Sequence, residues 1–295
     1  MSGRRLREII GAFSSVGLTS LIEKGKAAED KSTPRELRLA FEKLGPSFVK
    51  IGQILSTRSD IFPEAYVREL SKLQSNVLPL PTELVMEAIE AELTGPVSAY
   101  FSEIRPEPLA SGSVAQTHRA RLLNGKDVII KIQRPNLPEI IEEDLTLLIR
   151  LSRRIPKAFL PMVDLPEVLQ QIKESLTREI DFRNEAQAMI TFAELNQSSK
   201  CIASPEVYGE FTTPRLIVED YVSGIPINHY DELIKAGYDL EDIGRKLMLS
   251  FIKQVFKDGF FHGDPHPGNL LSQTIRFILL ILGLWENLIM ACAWP

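Results

Sequence analysis

The first eighty residues repeat apolar positions with a helical period. Phe48, Ile51 and Leu55 are spaced by three and four residues, so that one face of their helix is apolar. Gly52 lies inside this helix, where glycine costs about 1 kcal/mol relative to alanine. It therefore indicates close packing against another backbone. The pattern predicts a helical segment over residues 1–80.

A different pattern begins at residue 81. One more helix is predicted over 82–93, followed by strand-like runs at 109–122 and 127–132. Asn124-Gly125 separates the two runs, and this pair between strands is a strong hairpin signal. The composition shift predicts a domain boundary near residue 80.

Four small residues precede the hairpin. They are Ala110, Ser111, Gly112 and Ser113. A turn made of such residues lets backbone N–H groups approach phosphate oxygens. The turn is not G-x-G-x-x-G, so the pattern alone does not specify a nucleotide.

Lys131 stands in a run of β-branched residues on the second strand of the hairpin. A lysine in this position either extends to the surface or pairs with a phosphate and a carboxylate. Helices are predicted over 138–155 and 164–197, and the second helix carries several acidic residues. Those acids are either a solvated face or part of a site.

The last third of the chain predicts a strand, a helix and a loop. Residues 216–222 form a strand that ends at Ser223-Gly224, as a hinge would, and 239–258 form an amphipathic helix closed by Gly259. The loop that follows, residues 262–269, reads H-x-D-x-x-x-x-N, the spacing of the protein-kinase catalytic loop.

Composition narrows the class of protein. The chain has 295 residues, 44% of them hydrophobic, and a net charge of −5. There is no global basic charge, and we therefore expect no nucleic-acid partner. Cys201 and Cys292 match no metal or disulfide spacing. Basic and apolar residues at the N-terminus predict a helix that either packs on its own protein or lies on an anionic membrane.

The order of these features resembles the UbiB family of atypical kinase-like proteins, which is associated with ubiquinone and other isoprenoid-quinone biosynthesis. Its K-x-G-Q motif is similar to residues 50–53, its small-residue loop to 110–113, and its E-x-D motif to 179–181. Its catalytic loop is similar to 262–269. The resemblance covers roughly residues 5–272.

The resemblance implies a set of roles. ATP and Mg²⁺ are the expected cofactors, Lys131 pairs with Glu185 and meets the phosphates, and Asp264 and Asn269 serve as catalytic acceptor and metal ligand. The remaining nucleotide-site candidates are Ala110, Ser111, Gly112, Ser113, Lys50, Gln53, Glu179, Asp181, Glu219 and Val222. In this interpretation, Lys50 and Gln53 face Glu179 and Asp181.

The chain departs from the kinase pattern near its C-terminus. Ile281-Leu282-Gly283 stands where the metal-binding D-F-G triplet is expected, and Asp264 is the last aspartate in the sequence. The apolar residues 277–295 contain no uninterrupted membrane span. A frameshift or a premature end is one hypothesis for both features. Gly112 also replaces the usual alanine, so nucleotide preference does not carry over.

These observations predict an α+β, protein-kinase-like two-lobe fold. We expect an N-terminal helical extension over 1–80, a kinase-like domain over 81–276 with lobes 81–222 and 223–276, the second incomplete, and an apolar tail over 277–295. The predicted protein is an ATP-binding atypical kinase or ATPase in quinone or lipid metabolism.

Two alternatives to an enzyme stay open at this point. They are a non-catalytic nucleotide-binding scaffold and a truncated, poorly folding fragment. We expect a cytoplasmic protein, or one peripheral to the inner face of a membrane, with lipid or quinone-pathway proteins as candidate partners.

Overall fold

The computed structural model describes most of the chain. The described residues are 2–15, 32–57, 59, 63–73, 77–153, 164–263, 267–273, 276–279 and 285–287. They divide into two compact units. Unit 1 comprises residues 1–84, 108–116 and 133–180, and unit 2 comprises 85–107, 117–132 and 181–295.

Helices dominate unit 1. They are α1 (Ser2–Ser15), α2 (Ser32–Leu44), α3 (Pro46–Ser56), α4 (Glu64–Leu70), α6 (Leu137–Ser152) and α7 (Leu165–Ile180). Their apolar faces form one core in which Phe13, Phe41 and Phe48 make mutual ring contacts with centroids 5.7–6.1 Å apart. The helical period predicted for the N-terminal segment is therefore borne out, since Phe48, Ile51 and Leu55 are all buried.

The N-terminal helix α1 packs on its own unit. Ile9 and Ala12 are buried in the core. The guanidinium of Arg5 donates to both carboxylate oxygens of the buried Asp144, at 2.6 and 2.8 Å, and to the carbonyl oxygen of Leu44 at 2.7 Å. Of the two alternatives for this helix, the structure supports packing on the protein.

Gly52 sits at a close contact between helices. A Cβ atom at this position would lie 2.6 Å from the ring of Phe41 and closer still to Leu73. The prediction of close packing is correct, but the neighbours are side chains rather than a second backbone. Any larger residue would force α3 away from these side chains.

The predicted hairpin is present. Strands β1 (Phe101–Ser111), β2 (Ala115–Leu122), β3 (Asp127–Gln133) and β5 (Leu216–Asp220) form a sheet in the order β1-β2-β3-β5. Gly125 adopts φ 87° in the β2–β3 turn, a backbone conformation that glycine favours. The sequence missed residues 101–108 of β1, which are mostly exposed and include Pro106 and Pro108. Prolines are tolerated there because β1 is an edge strand.

Unit 2 contains the other helices. They are α5 (Thr82–Glu92), α8 (Phe182–Leu195), α9 (Tyr230–Lys235) and α10 (Leu240–Lys253). The first three residues of α5 belong to unit 1. A π-helical turn over Gln254–Asp258 extends α10 and ends at Gly259, as predicted. The prediction of one helix over 164–197 is wrong. Asp181 has an extended backbone and its side chain accepts a hydrogen bond from the Arg183 N–H, so it ends α7 and caps α8.

Two further sheets complete unit 2. Their strands are β4 (Ile202–Ala203), β6 (Ile225–Pro226), β7 (Phe260–His262), β8 (Leu270–Gln273), β9 (Arg276–Leu279) and β10 (Trp285–Asn287). One sheet has the order β4-β9-β8-β6 and the other pairs β10 with β7. Residues 277–279 are part of β9 and are buried, so the first residues of the predicted apolar tail belong to a sheet. The predicted domain limits stay predictions.

None of the helices in the described ranges has the length and apolarity needed to cross a bilayer.

Candidate functional site

Strand β3 and helix α8 bring together the predicted lysine–glutamate pair. Lys131 Nζ lies 2.6 Å from Glu185 Oε2, and both side chains are largely buried. The ammonium also lies 4.8 Å from the centroid of the Phe182 ring, the first residue of α8. Lys131 therefore does not extend to the surface. It is held by a helix that begins fifty-one residues later in the chain.

A second carboxylate belongs to this cluster. Glu219 lies on β5, opposite Ile129 in the antiparallel ladder, and Lys131 is opposite Ile217. Because alternate residues of a strand share a face, Glu219 and Lys131 lie on the same face of the sheet. The pKa of Glu219 is raised to about 8; burial is the largest cause, the charge of Glu185 also raises it, and Lys131 opposes both effects. A neutral carboxyl at this position can donate a hydrogen bond.

The segment that follows β5 carries Val222. The N–H of Tyr221 donates to the carbonyl oxygen of Asp127 at 3.1 Å, which fixes the start of this segment at the first residue of β3. Gly224 comes next, and a Cβ there would lie 2.8 Å from the carbonyl oxygen of Ser272. The segment that holds Val222 is thus tied to β3 at one end and approaches β8 at the other.

The K-x-G-Q residues lie on α3 in unit 1. Lys50 Nζ lies 2.5 Å from Glu179 Oε1 on α7. Gln53 donates from its side-chain amide to the carbonyl oxygen of Leu73 at 3.1 Å. The structure therefore brings Lys50 and Glu179 together, as the resemblance implies, and shows Gln53 holding the segment after α4.

Asp181, in unit 2, is the cap of α8. Its carboxylate lies 2.6 Å from a guanidinium nitrogen of Arg183. The hydrogen bond from Arg183 lowers the pKa of Asp181. Asp181 is therefore ionised at neutral pH and its negative charge lies at the positive end of the α8 dipole.

The small-residue turn is a tight β1–β2 connection in unit 1. The N–H of Gly112 donates to the carbonyl oxygen of Ala115 at 2.8 Å. Arg134 donates to the carbonyl oxygen of Gly112 and to the hydroxyl of Ser111, each at 2.8 Å. Ser113 is buried. One amide of the turn is thus used internally, and a guanidinium holds the turn from outside.

The turn residues Ala110 and Ser111 end strand β1. The carbonyl oxygen of Ser111 accepts from the N–H of Val77, and its hydroxyl lies 3.3 Å from the side-chain oxygen of Gln116. The side-chain oxygen of Gln116 also accepts a hydrogen bond from the N–H of Leu80, at 2.7 Å. Backbone from residues 77–80 is therefore fastened to the turn.

The two ends of the kinase-like loop are described. His262 is buried on β7, and Asn269 is buried in a 3₁₀ turn, Pro267–Asn269, that leads directly into β8. The candidate Asp264 and the Ile281-Leu282-Gly283 triplet lie outside the described residues. An amide oxygen at Asn269 is a hard donor of the kind that Mg²⁺ accepts.

One family of known proteins matches most of the chain. The profile of the ABC1 atypical kinase-like domain matches residues 72–290. The chain belongs to the ABC1 atypical kinase-like family. The predicted UbiB-type resemblance and the kinase-like α+β fold are confirmed by this match.

Relatives of this ABC1 chain come from bacteria and plants. A protein of Clostridium pasteurianum, "Uncharacterized protein in hydrogenase 1 5'region", is 41% identical over 281 residues, which is 95% of this chain and 53% of that protein. "Protein ACTIVITY OF BC1 COMPLEX KINASE 8, chloroplastic" of Arabidopsis thaliana is 37% identical over 263 residues, 86% of this chain and 34% of that protein. The chain therefore spans about half the length of the first relative and a third of the second.

A solved structure is similar to much of this chain. The complex of Rv3197 with erythromycin from Mycobacterium tuberculosis has a TM-score of 0.59 and 27% sequence identity, and the match covers 81% of this chain and 60% of that one. The family match itself makes this ABC1 chain an atypical kinase-like protein.

Two residues of this ABC1 chain escaped the sequence analysis. Arg134 was given no role, yet it donates two hydrogen bonds to the small-residue turn and a third to the carbonyl oxygen of Leu78. Gln116 is fully buried and bonds the backbone at Leu80. Their positions could have indicated these roles. Gln116 lies at the start of β2 and Arg134 directly follows β3, so both are at the end of the hairpin that is next to the small-residue turn.

Proposed function

We propose that this chain binds ATP together with Mg²⁺. The observation that carries the proposal is the buried Lys131–Glu185 pair in a chain of the ABC1 family. The pair fits a nucleotide because an ammonium held by one carboxylate keeps two donor hydrogens for phosphate oxygens. Asn269 would hold Mg²⁺, which neutralises phosphate charge when it is bound.

The other candidate residues take roles that the family resemblance suggests. Asp264 accepts or orients the proton of the attacking hydroxyl, and Glu219 and Val222 contact the nucleotide from the β5 side. Lys50, Gln53, Glu179, Asp181 and the turn residues Ala110, Ser111, Gly112 and Ser113 keep, in this proposal, the nucleotide-binding role that the resemblance implies.

A thermal-shift titration with ATP and Mg²⁺ tests binding. A ligand that binds only the folded state stabilises it by about 2.7 kcal/mol at one hundred times its Kd. We expect the wild type to show this rise in Tm and Lys131→Met to lose it. Lys126→Met is the control, since Lys126 makes a more exposed pair with Glu206.

Loss of folding is separated from loss of binding by a conservative variant. Lys131→Arg keeps the charge beside Glu185 but changes the donor geometry. We expect it to fold with a near-normal melt and to bind a fluorescent ATP analogue at least about tenfold more weakly. Unchanged nucleotide affinity in this variant contradicts the proposal.

A second candidate function is a non-catalytic nucleotide-binding regulator. The Ile281-Leu282-Gly283 triplet favours it, because an aspartate that holds the main Mg²⁺ in kinases is replaced. ATP hydrolysis measured on the same protein separates the two functions. Turnover above that of Lys131→Arg supports the enzyme, and binding without turnover supports the regulator.

We further propose that the chain acts in quinone or lipid metabolism at a membrane face. The proposal rests on its family alone. Flotation with vesicles containing anionic lipid, compared with neutral vesicles, tests it. Failure to float with either kind would remove the membrane part of the proposal.

A further inference from the structure

Unit 2 contains an open groove that neither Lys131 nor Glu185 lines. It lies between helix α8 and residues 204–207, and its volume is about 290 Å³. Pockets for small organic ligands begin at about this size. The groove is therefore large enough for a small molecule with one ring or a short chain.

The floor of the groove is apolar. Met189 and Pro205 are buried beneath it, and the apolar surface that a ligand can reach belongs to Ile190, Ala193 and Val207, which are at least partly exposed. Such a surface gains free energy when an apolar group displaces water from it. The occupant must therefore carry an apolar body.

Polar groups at the edge of the groove select the rest of the ligand. The Ser204 hydroxyl oxygen is buried and accepts or donates no hydrogen bond within the described residues. Glu194 is exposed, and no ion pair is recorded for it in the described part of the chain. Glu206 already pairs with Lys126 at 2.8 Å. The edge thus offers one uncompensated carboxylate and one hydroxyl without a partner.

We propose that this groove binds a small amphipathic cation. Its apolar body lies on Ile190, Ala193 and Val207, and its ammonium faces Glu194. The Ser204 hydroxyl, after rotation about χ1, accepts one ammonium hydrogen. A neutral ligand of the same shape lacks the attraction to Glu194 and binds more weakly.

The two walls of the groove are parts of different elements. The helix wall continues α8, in which Glu185 precedes Met189 by one turn. The other wall is bonded to β5, because the N–H of Tyr208 donates to the carbonyl oxygen of Val218 and Val207 is opposite Glu219. A molecule in the groove therefore bridges α8 and the edge of the β5 strand.

The test compares a matched pair of probes on the full chain. The probes are 4-phenylbutylamine and its neutral analogue 4-phenylbutanol, and binding is followed by ligand-observed NMR. Ala193→Phe fills the groove from an exposed helical position, and Glu194→Gln removes its charge. Ala91→Phe and Glu90→Gln make the same changes on an exposed part of α5 and serve as controls.

The expected result has three parts. The wild type and both controls bind the amine about three- to fivefold more tightly than the alcohol, Glu194→Gln binds the two equally, and Ala193→Phe binds neither. Hydrogen exchange slows in α8 and in residues 204–207 when the amine is added.

Three results overturn the proposal. They are equal amine binding by Ala193→Phe and Ala91→Phe, no preference for the amine in the wild type, and no binding of either probe at millimolar concentration. None of these measurements uses a nucleotide, so they stand apart from the proposed function.

Discussion

Two lysine–glutamate pairs of nearly equal length stand in different surroundings in the two units. Lys50–Glu179 in unit 1 measures 2.5 Å with side-chain exposures of 21% and 13%. Lys131–Glu185 in unit 2 measures 2.6 Å with exposures of 12% and 4%. The distances are alike, so the difference between the pairs lies in how much water reaches each one.

The surroundings make the loss of one partner more costly for the second pair. Lys131 lies near the Phe182 ring and interacts electrostatically with a second carboxylate, that of Glu219, whose pKa is raised. Because less water screens these charges, removing one partner leaves a buried charge without compensation. Interatomic distance alone therefore does not rank the two ion pairs, and four changes test the ranking.

The largest effect is expected for Lys131→Met. The variant leaves Glu185 buried without its cation, and we expect a loss of about 3–5 kcal/mol in the free energy of unfolding. Chemical denaturation measures it. Adding Glu185→Gln to the variant should recover part of the loss, and Lys126→Met should cost much less, because water screens its exposed pair with Glu206. Equal costs for Lys131→Met and Lys126→Met would contradict the ranking.

The next effect concerns the helix that presents Lys50. Gly52→Ala places a methyl group against Phe41 and Leu73, and we expect it to cost about 2 kcal/mol by overpacking. Gly11→Ala is the matched control, because a Cβ there has no neighbour within 4 Å. That change should stabilise the protein by up to about 1 kcal/mol, since alanine is the better helix former. A stabilising Gly52→Ala would show that α3 moves freely.

The third effect is a dependence on pH. The carboxyl of Glu219 ordinarily titrates near 4.5 and in the folded protein near 8. Between these values the unfolded chain has already lost the proton that the folded protein keeps, so stability falls as pH rises from about 4.5 to 8. We expect a loss of about 1–2 kcal/mol over this range, because Glu219 is only half-buried.

Glu219→Gln measures that contribution. The variant should remove this part of the pH dependence of unfolding and be more stable than the wild type at pH 8. A wild-type stability that is flat between pH 5 and 8, or a variant with the same slope, would rule out the raised pKa.

The smallest effect is expected for Lys50→Met. Glu179 keeps more contact with water than Glu185 does, so the loss of its partner should cost about 1 kcal/mol, measured by chemical denaturation. A cost equal to that of Lys131→Met would remove the distinction between the pairs.

Local signals in the sequence identified many elements correctly. Asn124-Gly125 predicted the β2–β3 turn, Gly259 the end of the helical segment, and the spacing of Phe48, Ile51 and Leu55 the buried face of α3. Each of these depends on residues close in the chain. The helix break at Asp181 was missed because acidic residues also occur inside helices, and only the capping bond reveals the role.

The sequence by itself determined the family, since its motifs and their order specify an atypical kinase-like protein. It also determined which residues carry charge in apolar surroundings, Lys131 above all. The resemblance implied that Lys131 pairs with Glu185, fifty-four residues away, but only the tertiary structure decided how deeply this pair is buried and that Glu219 shares its face of the sheet. The physical reason is that burial and charge pairing depend on segments distant in the chain, whereas turns and helical periods depend on neighbours.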